Sequence, residues 1–283
     1  MVGIVIERKT WRQLLDAHKP LVLPGAHDAL CARLIERAGF QAYVIGGFGL
    51  SAARHGLPDI GLIGLGEMAA GVRDIMAASA LPVLVDADNG HGDTRNVTHT
   101  VETYERLGVS ALFLEDQVSP KRCGHFAGKD VIPIDAMERK IRAAAAARHD
   151  KELFLIARTD ARSVHGLDDA LRRAERYIRA GADGLFIEAP RSVEELRTIA
   201  GAFDVPQFCN MLVGGQTPIL GNQELGEMGF AMIVHGTTLA MSVAKAIDDT
   251  LAAIRDDRLD ASTFWTLPDF TGALQLERWS DIE

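Results

Sequence analysis

Disulfide patterns, basic clusters and long apolar stretches are all missing from this sequence of 283 residues. Its three cysteines, Cys31, Cys123 and Cys209, do not indicate a disulfide framework, and we expect a reducing, cytoplasmic setting. The formal net charge is −9 and no run of lysine and arginine stands out, which argues against nucleic acid as a partner.

The apolar stretches that do occur are too short for a membrane or an export signal. The apolar segment 228–244, which has no charged residue, includes His235 and two threonines and is shorter than a membrane span. The run at residues 2–6 is too short for a secretory signal, because charged residues follow it at once. We therefore expect no membrane partner.

The sequence instead alternates short apolar runs with longer amphipathic segments. The runs are five or six residues long, as expected of strands buried on both faces of a parallel sheet. They cover residues 21–25, 42–46, 82–86, 110–115, 153–158, 184–188, 206–210 and 230–235. Helices are predicted between them, among others at residues 28–39, 94–107, 135–149 and 167–180. Eight such units predict an α/β fold, a (β/α)₈ barrel, with an open doubly wound sheet as the alternative.

We assign residues 1–256 to the barrel domain and residues 257–283 to a C-terminal tail. The tail contains Phe264, Trp265, Phe270 and Trp279 and must pack on its own barrel or on a neighbouring subunit. Two loops are long for a barrel, at residues 46–63 and 117–134. The second contains Gly124 and Gly128, and we expect it to be a mobile lid; it is called the lid below.

Polar side chains collect where the predicted strands end, which is where barrel enzymes hold their active sites. Asp86 and Asp88 are two residues apart, and on an extended segment they would face the same side. With Glu115 from the next strand they would form a cluster of carboxylates that a hard cation stabilises. The cluster predicts a Mg²⁺ site, with Mn²⁺ possible; the alternative is salt bridges to barrel lysines or arginines.

The lid carries a second candidate group, the thiol of Cys123. Its neighbours Lys121, Arg122 and His125 are basic, which favours the thiolate, and its place on a loop predicts that it is accessible. A lone cysteine can also be a small core residue. That alternative suits Cys31 and Cys209, which lie in apolar segments.

Three further strand ends carry candidate binding groups. Arg158 could bind a substrate carboxylate through its planar guanidinium, or form a structural salt bridge to Glu188 or Asp160. His235, at the end of the last run, could equally be a site residue or a core histidine. The glycine-rich loop after Asn210 could bind an anion.

These motifs resemble those of the isocitrate lyase/phosphoenolpyruvate mutase superfamily, from about residue 21 to about residue 244. The segments that carry the resemblance are Gly-Leu-Pro-Asp59, Asp86-Ala-Asp88-Asn-Gly, Leu-Glu115-Asp-Gln, Pro-Lys-Arg-Cys123-Gly-His125, Ile-Ala-Arg158-Thr-Asp and Asn210-Met-Leu-Val-Gly-Gly-Gln-Thr-Pro.

The resemblance implies a role for each of these positions. Mg²⁺ would be held by Asp86 and Asp88 with help from Glu115, and would bind the oxygen of a 2-oxo acid or enolate. Cys123 would exchange a proton with the product carbanion, and Arg158 would bind the carboxylate. Catalytic roles are also expected for His125 and Glu188. Substrate-binding positions are expected at Gly46, Gly47, Asp59, Gly124, Asn210 and His235.

The function implied is cleavage of a carbon–carbon bond in a 2-hydroxy di- or tricarboxylate, such as methylisocitrate or dimethylmalate. An oxaloacetate hydrolase or decarboxylase, or a carboxyphosphonoenolpyruvate mutase, remains open as an alternative, as does a non-catalytic ligand-binding barrel. Methylisocitrate lyases usually have an arginine near position 241, where this sequence has Met241, which favours a smaller or more apolar acid.

The resemblance also implies a homotetramer, built as a dimer of dimers that exchange their last barrel helix. The segment 237–254 is the predicted exchanged helix, because Leu239, Val243, Ile247 and Leu251 recur at near-helical spacing.

Overall fold

The computed structural model describes residues 9–280, so the run at residues 2–6 lies outside the described residues. Its sheet consists of parallel strands joined by helices. The strands are β1 (Leu21–Pro24), β2 (Tyr43–Ile45), β3 (Val83–Asp86), β4 (Ala111–Glu115), β5 (Phe154–Thr159), β6 (Gly184–Ile187), β7 (Gln207–Asn210) and β8 (Met232–His235). Each lies within one of the eight predicted runs or extends one residue beyond it.

The strands form a barrel because the two ends of the sheet meet. Neighbours in the chain pair in parallel from β2 to β8, and β8 pairs with β1. The backbone N–H of Ala26 donates to the carbonyl oxygen of Val44 at 2.8 Å, which brings the end of β1 against β2. The predicted (β/α)₈ barrel is confirmed, and the open doubly wound sheet is wrong.

Helices surround the strands and also cover the barrel ends. They are α1 (Trp11–Ala17), α2 (Ala29–Arg37), α3 (Gly47–His55), α4 (Leu65–Met76), α5 (Thr94–Arg106), α6 (Ile134–Ala147), α7 (Ala161–His165), α8 (Leu167–Ala180), α9 (Val193–Ala200), α10 (Asn222–Met228), α11 (Thr238–Arg255), α12 (Leu267–Ala273) and α13 (Leu276–Ser280). Within residues 9–280 no helix is both long and apolar enough to cross a membrane.

Local sequence decides where the predicted helices begin and end. The Asp28 side chain accepts a hydrogen bond from the Cys31 N–H at 2.7 Å and begins α2. Gly181 ends α8 in the left-handed conformation, with φ of 112°. The four helices predicted from the sequence match α2, α5, α6 and α8 to within two residues at each end.

Aromatic side chains fill the middle of the barrel. The rings of Phe186 and Phe208 stack with centroids 4.0 Å apart, and Phe113 meets both edge-on. At the amino ends of the strands, the fully buried Trp11 of α1 closes the barrel, and Arg12 fixes this helix by pairing with Asp183 at 2.8 Å. The opposite end of the barrel, at the carboxyl ends of the strands, is not closed by α1 and can hold a functional site.

The last barrel helix, α11, does not cover its own barrel. None of its residues is buried, and its apolar side chains Met241, Val243, Ile247, Leu251 and Ile254 are 44–59% exposed. An apolar cavity of about 520 Å³ lies between α2 and the first turn of α11. The tail returns towards α2, where the Arg37 guanidinium lies 5.4 Å from the centre of the Trp265 ring.

Candidate active site

A pocket of about 70 Å³ lies at the carboxyl ends of the strands, where barrels of this kind hold their active sites. Most of the predicted site residues line it: Gly46, Asp59, Asp86, Cys123, Gly124, His125, Arg158, Glu188 and Asn210. The apolar part of its wall consists of Val44, Phe48, Phe113, Phe186, Phe208, Leu212 and Val234. Three other predicted residues contact this lining but are not part of it: Gly47 and Asp88 bind Asp86, and Glu115 binds Arg158.

One side of the pocket is a cluster of carboxylates around a buried lysine. The Lys121 ammonium lies 2.6 Å from a carboxylate oxygen of Asp59 and 2.5 Å from one of Asp88. Asp86 accepts hydrogen bonds from the backbone N–H groups of Gly47 at 3.0 Å and of Asp88 at 2.9 Å. The Gly47 N–H therefore binds Asp86 here and is not directed at a substrate.

Asp86 and Asp88 lie together for a different reason from the one predicted. β3 ends at Asp86, and Asp88 has φ of 49°, so the chain turns after the strand and is not extended. The prediction of a shared face by strand alternation is wrong, although the two carboxylates do meet. Burial raises the pKa of Asp88 to about 7, against the opposing charge of Lys121.

The fit of this cluster to Mg²⁺ depends on Glu115. Within residues 9–280 no group of three or more His, Cys, Asp or Glu side chains converges closely enough to hold a metal by itself. The buried Oε1 of Glu115 has no hydrogen-bond partner among the described residues, and burial raises the pKa of this carboxyl well above its usual value. Carboxylate oxygens suit Mg²⁺, which keeps several waters, so Asp86, Asp88 and Glu115 fit it as a set that water completes.

On the other side of the pocket, Arg158 lies among three carboxylates. Its Nε is 3.3 Å from Glu115 and 2.9 Å from Asp160, and its Nη2 is 3.3 Å from Glu188. The guanidinium also lies over the Phe186 ring, 5.1 Å from its centre. Both partners considered from the sequence, Asp160 and Glu188, are present, so Arg158 forms structural salt bridges while it lines the pocket.

Glu188 and His125 form a pair whose proton positions follow from the hydrogen bonds. His125 Nδ1 accepts the backbone N–H of Gln216 at 3.1 Å, so that nitrogen carries no proton. The proton of a neutral His125 then resides on Nε2, which faces Glu188 Oε1 at 3.2 Å. Although burial alone would raise it, Arg158 and His125 hold the pKa of Glu188 below its usual value.

The lid lies closed over this pocket. The Cys123 N–H donates to the carbonyl oxygen of Asp59 at 3.0 Å, which joins the lid to the loop between α3 and α4. Within the lid, the Gln117 side chain accepts from the Arg122 N–H at 2.9 Å and donates to the Arg122 carbonyl at 2.8 Å. A Cβ at Gly124 would lie 2.4 Å from Arg158 Nη2, so this position must be glycine for the lid to close so far.

Cys123 lines the pocket but is not the accessible, thiolate-favouring residue that its neighbours predicted. It is 8% exposed, and burial raises the pKa of its thiol to about 11. The basic neighbours do not stabilise the thiolate, because Lys121 binds Asp59 and Asp88 while His125 binds Glu188. Cys31 and Cys209 are buried, as expected of small core residues.

His235 is the predicted site residue that the structure places elsewhere. Its neighbour Val234 faces the pocket, and because side chains alternate along a strand, His235 points out of the barrel. Its ring lines the apolar cavity beside α2 and hydrogen-bonds Asn222 at 2.8 Å. The substrate-binding prediction for His235 is therefore wrong.

Sequence reasoning gave no site role to Phe186 or Lys129. Phe186 lies on β6, two residues before Glu188, which directly follows the strand, and both side chains line the pocket. Lys129 contacts Asp160, which lies 31 residues further along the chain, and no local pattern reports such a contact.

Comparison with known proteins agrees with this geometry. Residues 11–255 match the family profile described as phosphoenolpyruvate phosphomutase. The 2,3-dimethylmalate lyase of Eubacterium barkeri is 40% identical over 275 residues, which cover 96% of this chain and 95% of that protein. The 2-methylisocitrate lyase of Bacillus subtilis is 40% identical over 246 residues, covering 87% and 81%.

A comparison of folds agrees with the sequence comparison. A structure of oxaloacetate acetylhydrolase in complex with the inhibitor 3,3-difluorooxalacetate has a TM-score of 0.90 and 31% sequence identity, and the match covers 95% of this chain and 93% of that one. The chain therefore belongs to the phosphoenolpyruvate phosphomutase family, within the superfamily that its motifs predicted.

Proposed function

We propose that this protein is a Mg²⁺-dependent carbon–carbon lyase that cleaves a 2-hydroxy acid with two or three carboxylates into a 2-oxo acid and a second carboxylate. The observation that carries the proposal is the closed pocket in which the Cys123 thiol, the Arg158 guanidinium and the carboxylate of Asp86 meet. The family and its lyase relatives support the same reaction class.

Each group in the pocket has a definite task in this reaction. Arg158 binds one substrate carboxylate, and the Phe186 ring beneath the guanidinium shields this contact from water. Asp86, Asp88 and Glu115 would hold Mg²⁺, which supplies a Lewis acid for the charge that develops on the substrate oxygens. A base in the pocket takes the proton of the substrate hydroxyl, and the carbon–carbon bond breaks to give the 2-oxo acid and an enolate of the second carboxylate. That enolate needs a proton, and a thiol with a pKa of about 11 is protonated at neutral pH and can donate it. The thiolate then regains a proton when the hydroxyl proton is released through solvent.

Pocket charge and size favour a small acid over a tricarboxylate. Arg158 is the one arginine among the described residues that line the pocket, and it already pairs with carboxylates of the protein. Lys121, behind the lining, is bound to Asp59 and Asp88. Leu212 and Phe48 form part of the wall and suit an alkyl group on the substrate. An alkyl-substituted malate fits these features better than a substrate with a third carboxylate.

Hydrolysis or decarboxylation of oxaloacetate is the second candidate. The small volume of the pocket and the fold match to an oxaloacetate acetylhydrolase favour it. A phosphonomutase would share Asp86, Asp88 and Arg158 but would need no proton-donating thiol. A non-catalytic barrel would have no need of a buried thiol beside a metal-binding set.

A substrate screen tests the proposal. Purified protein with Mg²⁺ should release a 2-oxo acid from 2,3-dimethylmalate or 2-methylisocitrate, and chelation with EDTA should abolish the activity. Oxaloacetate and phosphonopyruvate belong in the same screen as substrates of the alternatives. Turnover of either of these, with none of the two hydroxy acids, would contradict the lyase.

We also propose that the protein is a homotetramer, a dimer of dimers that exchange α11. The exposed apolar face of α11 and the apolar cavity beside α2 support exchange, because a monomer would leave both uncovered. In the same assembly the barrel domain would comprise residues 1–256, and the tail would pack beside α2. The three free cysteines agree with a cytoplasmic location.

Sedimentation tests the assembly. Ile247 is 54% exposed on α11. Because Ile247→Asp would place a charge in the proposed interface, the variant should not form the oligomer that wild-type protein forms. The control Thr198→Asp, exposed on α9, should leave assembly unchanged. A chain that ends at Asp256 shows how much the tail contributes to assembly. Wild-type protein that sediments as a monomer at micromolar concentration would contradict the exchange.

A further inference from the structure

Lys129 is a lid residue whose charge is buried. Its side chain is 2% exposed, which is rare for a lysine unless the ammonium is paired. The ammonium donates to the carboxylate of Asp160 at 2.7 Å and also to the carbonyl oxygen of Gly124. One side chain thus joins the lid, next to Cys123, to the end of β5.

Asp160 is at the same time a partner of Arg158. The Arg158 Nε donates to one oxygen of this carboxylate at 2.9 Å, and Nη2 donates to the other at 3.1 Å. Although burial alone would raise it, Arg158 and Lys129 hold the pKa of Asp160 below its usual value. Asp160 is therefore a charged carboxylate shared between the two cations.

The charge balance of this cluster would change if the lid opened. With the lid closed, the cations Arg158 and Lys129 face the carboxylates of Glu115, Asp160 and Glu188. Without Lys129, one guanidinium would serve all three carboxylates in a buried setting. A substrate carboxylate would then compete with three internal anions for Arg158, and like-charge repulsion would oppose its entry.

We propose that Lys129 is a positioning residue: its ammonium holds the lid closed, and by sharing Asp160 it leaves the Arg158 guanidinium available to a substrate carboxylate. The second half of this inference rests on the proposed function, because it needs a carboxylate ligand at Arg158. The first half concerns the lid alone and holds for any ligand.

Other contacts also hold the lid, and the strongest of them is the buried ammonium of Lys121, which pairs with Asp59 and Asp88. The Cys123 N–H binds the Asp59 carbonyl, and the Gln216 N–H binds His125 Nδ1. Both are hydrogen bonds to neutral groups, whose loss costs less than leaving a buried carboxylate without one of its cations. Lys129 should therefore contribute more to closing than either of these hydrogen bonds, as the second ionic anchor of the lid beside Lys121.

The test compares Lys129→Met and Lys129→Gln with the matched control Lys151→Met, which removes an exposed lysine outside the pocket. Hydrogen exchange is followed in the full-length, ligand-free protein over residues 118–131 and over the barrel strands. Removing the buried charge should speed exchange in the lid at least about tenfold and leave the strands unchanged. Lys151→Met should behave as wild type.

A ligand readout separates positioning from simple stability. Oxalate, a small dianion that resembles a 2-oxo acid, is titrated calorimetrically in the presence of Mg²⁺. Lys129→Met should bind oxalate at least about tenfold more weakly, and Lys129→Arg, which keeps the charge, should recover part of the affinity.

Each outcome decides one claim. Lid exchange in both Lys129→Met and Lys129→Gln equal to that of wild type overturns the inference, as does faster exchange spread evenly over the barrel strands. Faster lid exchange with unchanged oxalate affinity overturns the link to Arg158. Wild-type protein that does not bind oxalate contradicts the proposed function, while lid exchange still decides the role of Lys129.

Discussion

Replacing Cys123 with serine should lower turnover about 10²- to 10⁴-fold, the usual contribution of a positioned acid or base. The substitution keeps the shape of a side chain that is 8% exposed, but a hydroxyl is a much weaker proton donor than a thiol. Binding of Mg²⁺ and of oxalate should persist, because Cys123 contacts neither Asp86 nor Arg158 through a hydrogen bond or an ion pair in the structure.

Steady-state kinetics on the substrate found in the screen provides the measurement. The control is Cys31→Ser, the same chemical change at a buried cysteine in α2, where the hydroxyl can still donate to the Gly25 carbonyl. Because the pKa of Cys123 is raised to about 11, the cleavage rate should not fall through loss of its proton until strongly alkaline pH. Near-normal turnover of Cys123→Ser would remove the thiol from the mechanism.

Replacing Arg158 with methionine should destabilise the protein by about 3–5 kcal/mol and abolish detectable binding of oxalate, because breaking a buried charge cluster leaves its partners uncompensated. The change leaves Glu115 and Glu188 buried without their arginine, while Asp160 keeps Lys129. It also removes the planar group that binds a carboxylate through two hydrogen bonds.

Urea unfolding and calorimetry measure the two effects separately. Arg158→Lys keeps the charge and should recover stability better than it recovers oxalate affinity, since an ammonium cannot reproduce the planar guanidinium. Arg176→Met is the matched control, because Arg176 also binds carboxylates, those of Glu138 and Asp135, but on the surface. Wild-type stability and oxalate affinity in Arg158→Met would show that the cluster does not organise the pocket.

The sequence predicts the barrel well because its signals are local. A strand buried on both faces must be a short apolar run, and each of the eight runs contains a strand. The ends of those strands share one face of the barrel, so Asp86, Arg158 and Glu188 meet although they are distant in the chain.

Features that depend on how the lid closes could not be predicted in this way. The thiol of Cys123 has basic neighbours in sequence, but the closed lid turns those groups towards carboxylates and buries the sulfur. His235 failed for a different reason: a shift of one residue in β8 decides whether a side chain faces the pocket or the helices. The sequence alone does not show which of the two neighbours, Val234 or His235, faces the pocket.

The pairing of the Gln117 side chain with the backbone of Arg122 bears on how the pocket exchanges its contents. Both hydrogen bonds lie inside the lid, as does the bond from the Val118 N–H to the Asp130 carbonyl, so none of them needs to break when the lid moves. Ordering a flexible segment costs about 1–2 kcal/mol of conformational entropy for each backbone residue. A lid that stays folded as it moves would avoid this cost at every turnover. If the lid opens to release products, the barrier would then come from the few ionic and hydrogen-bonded contacts along its rim, and not from repeated folding of a loop.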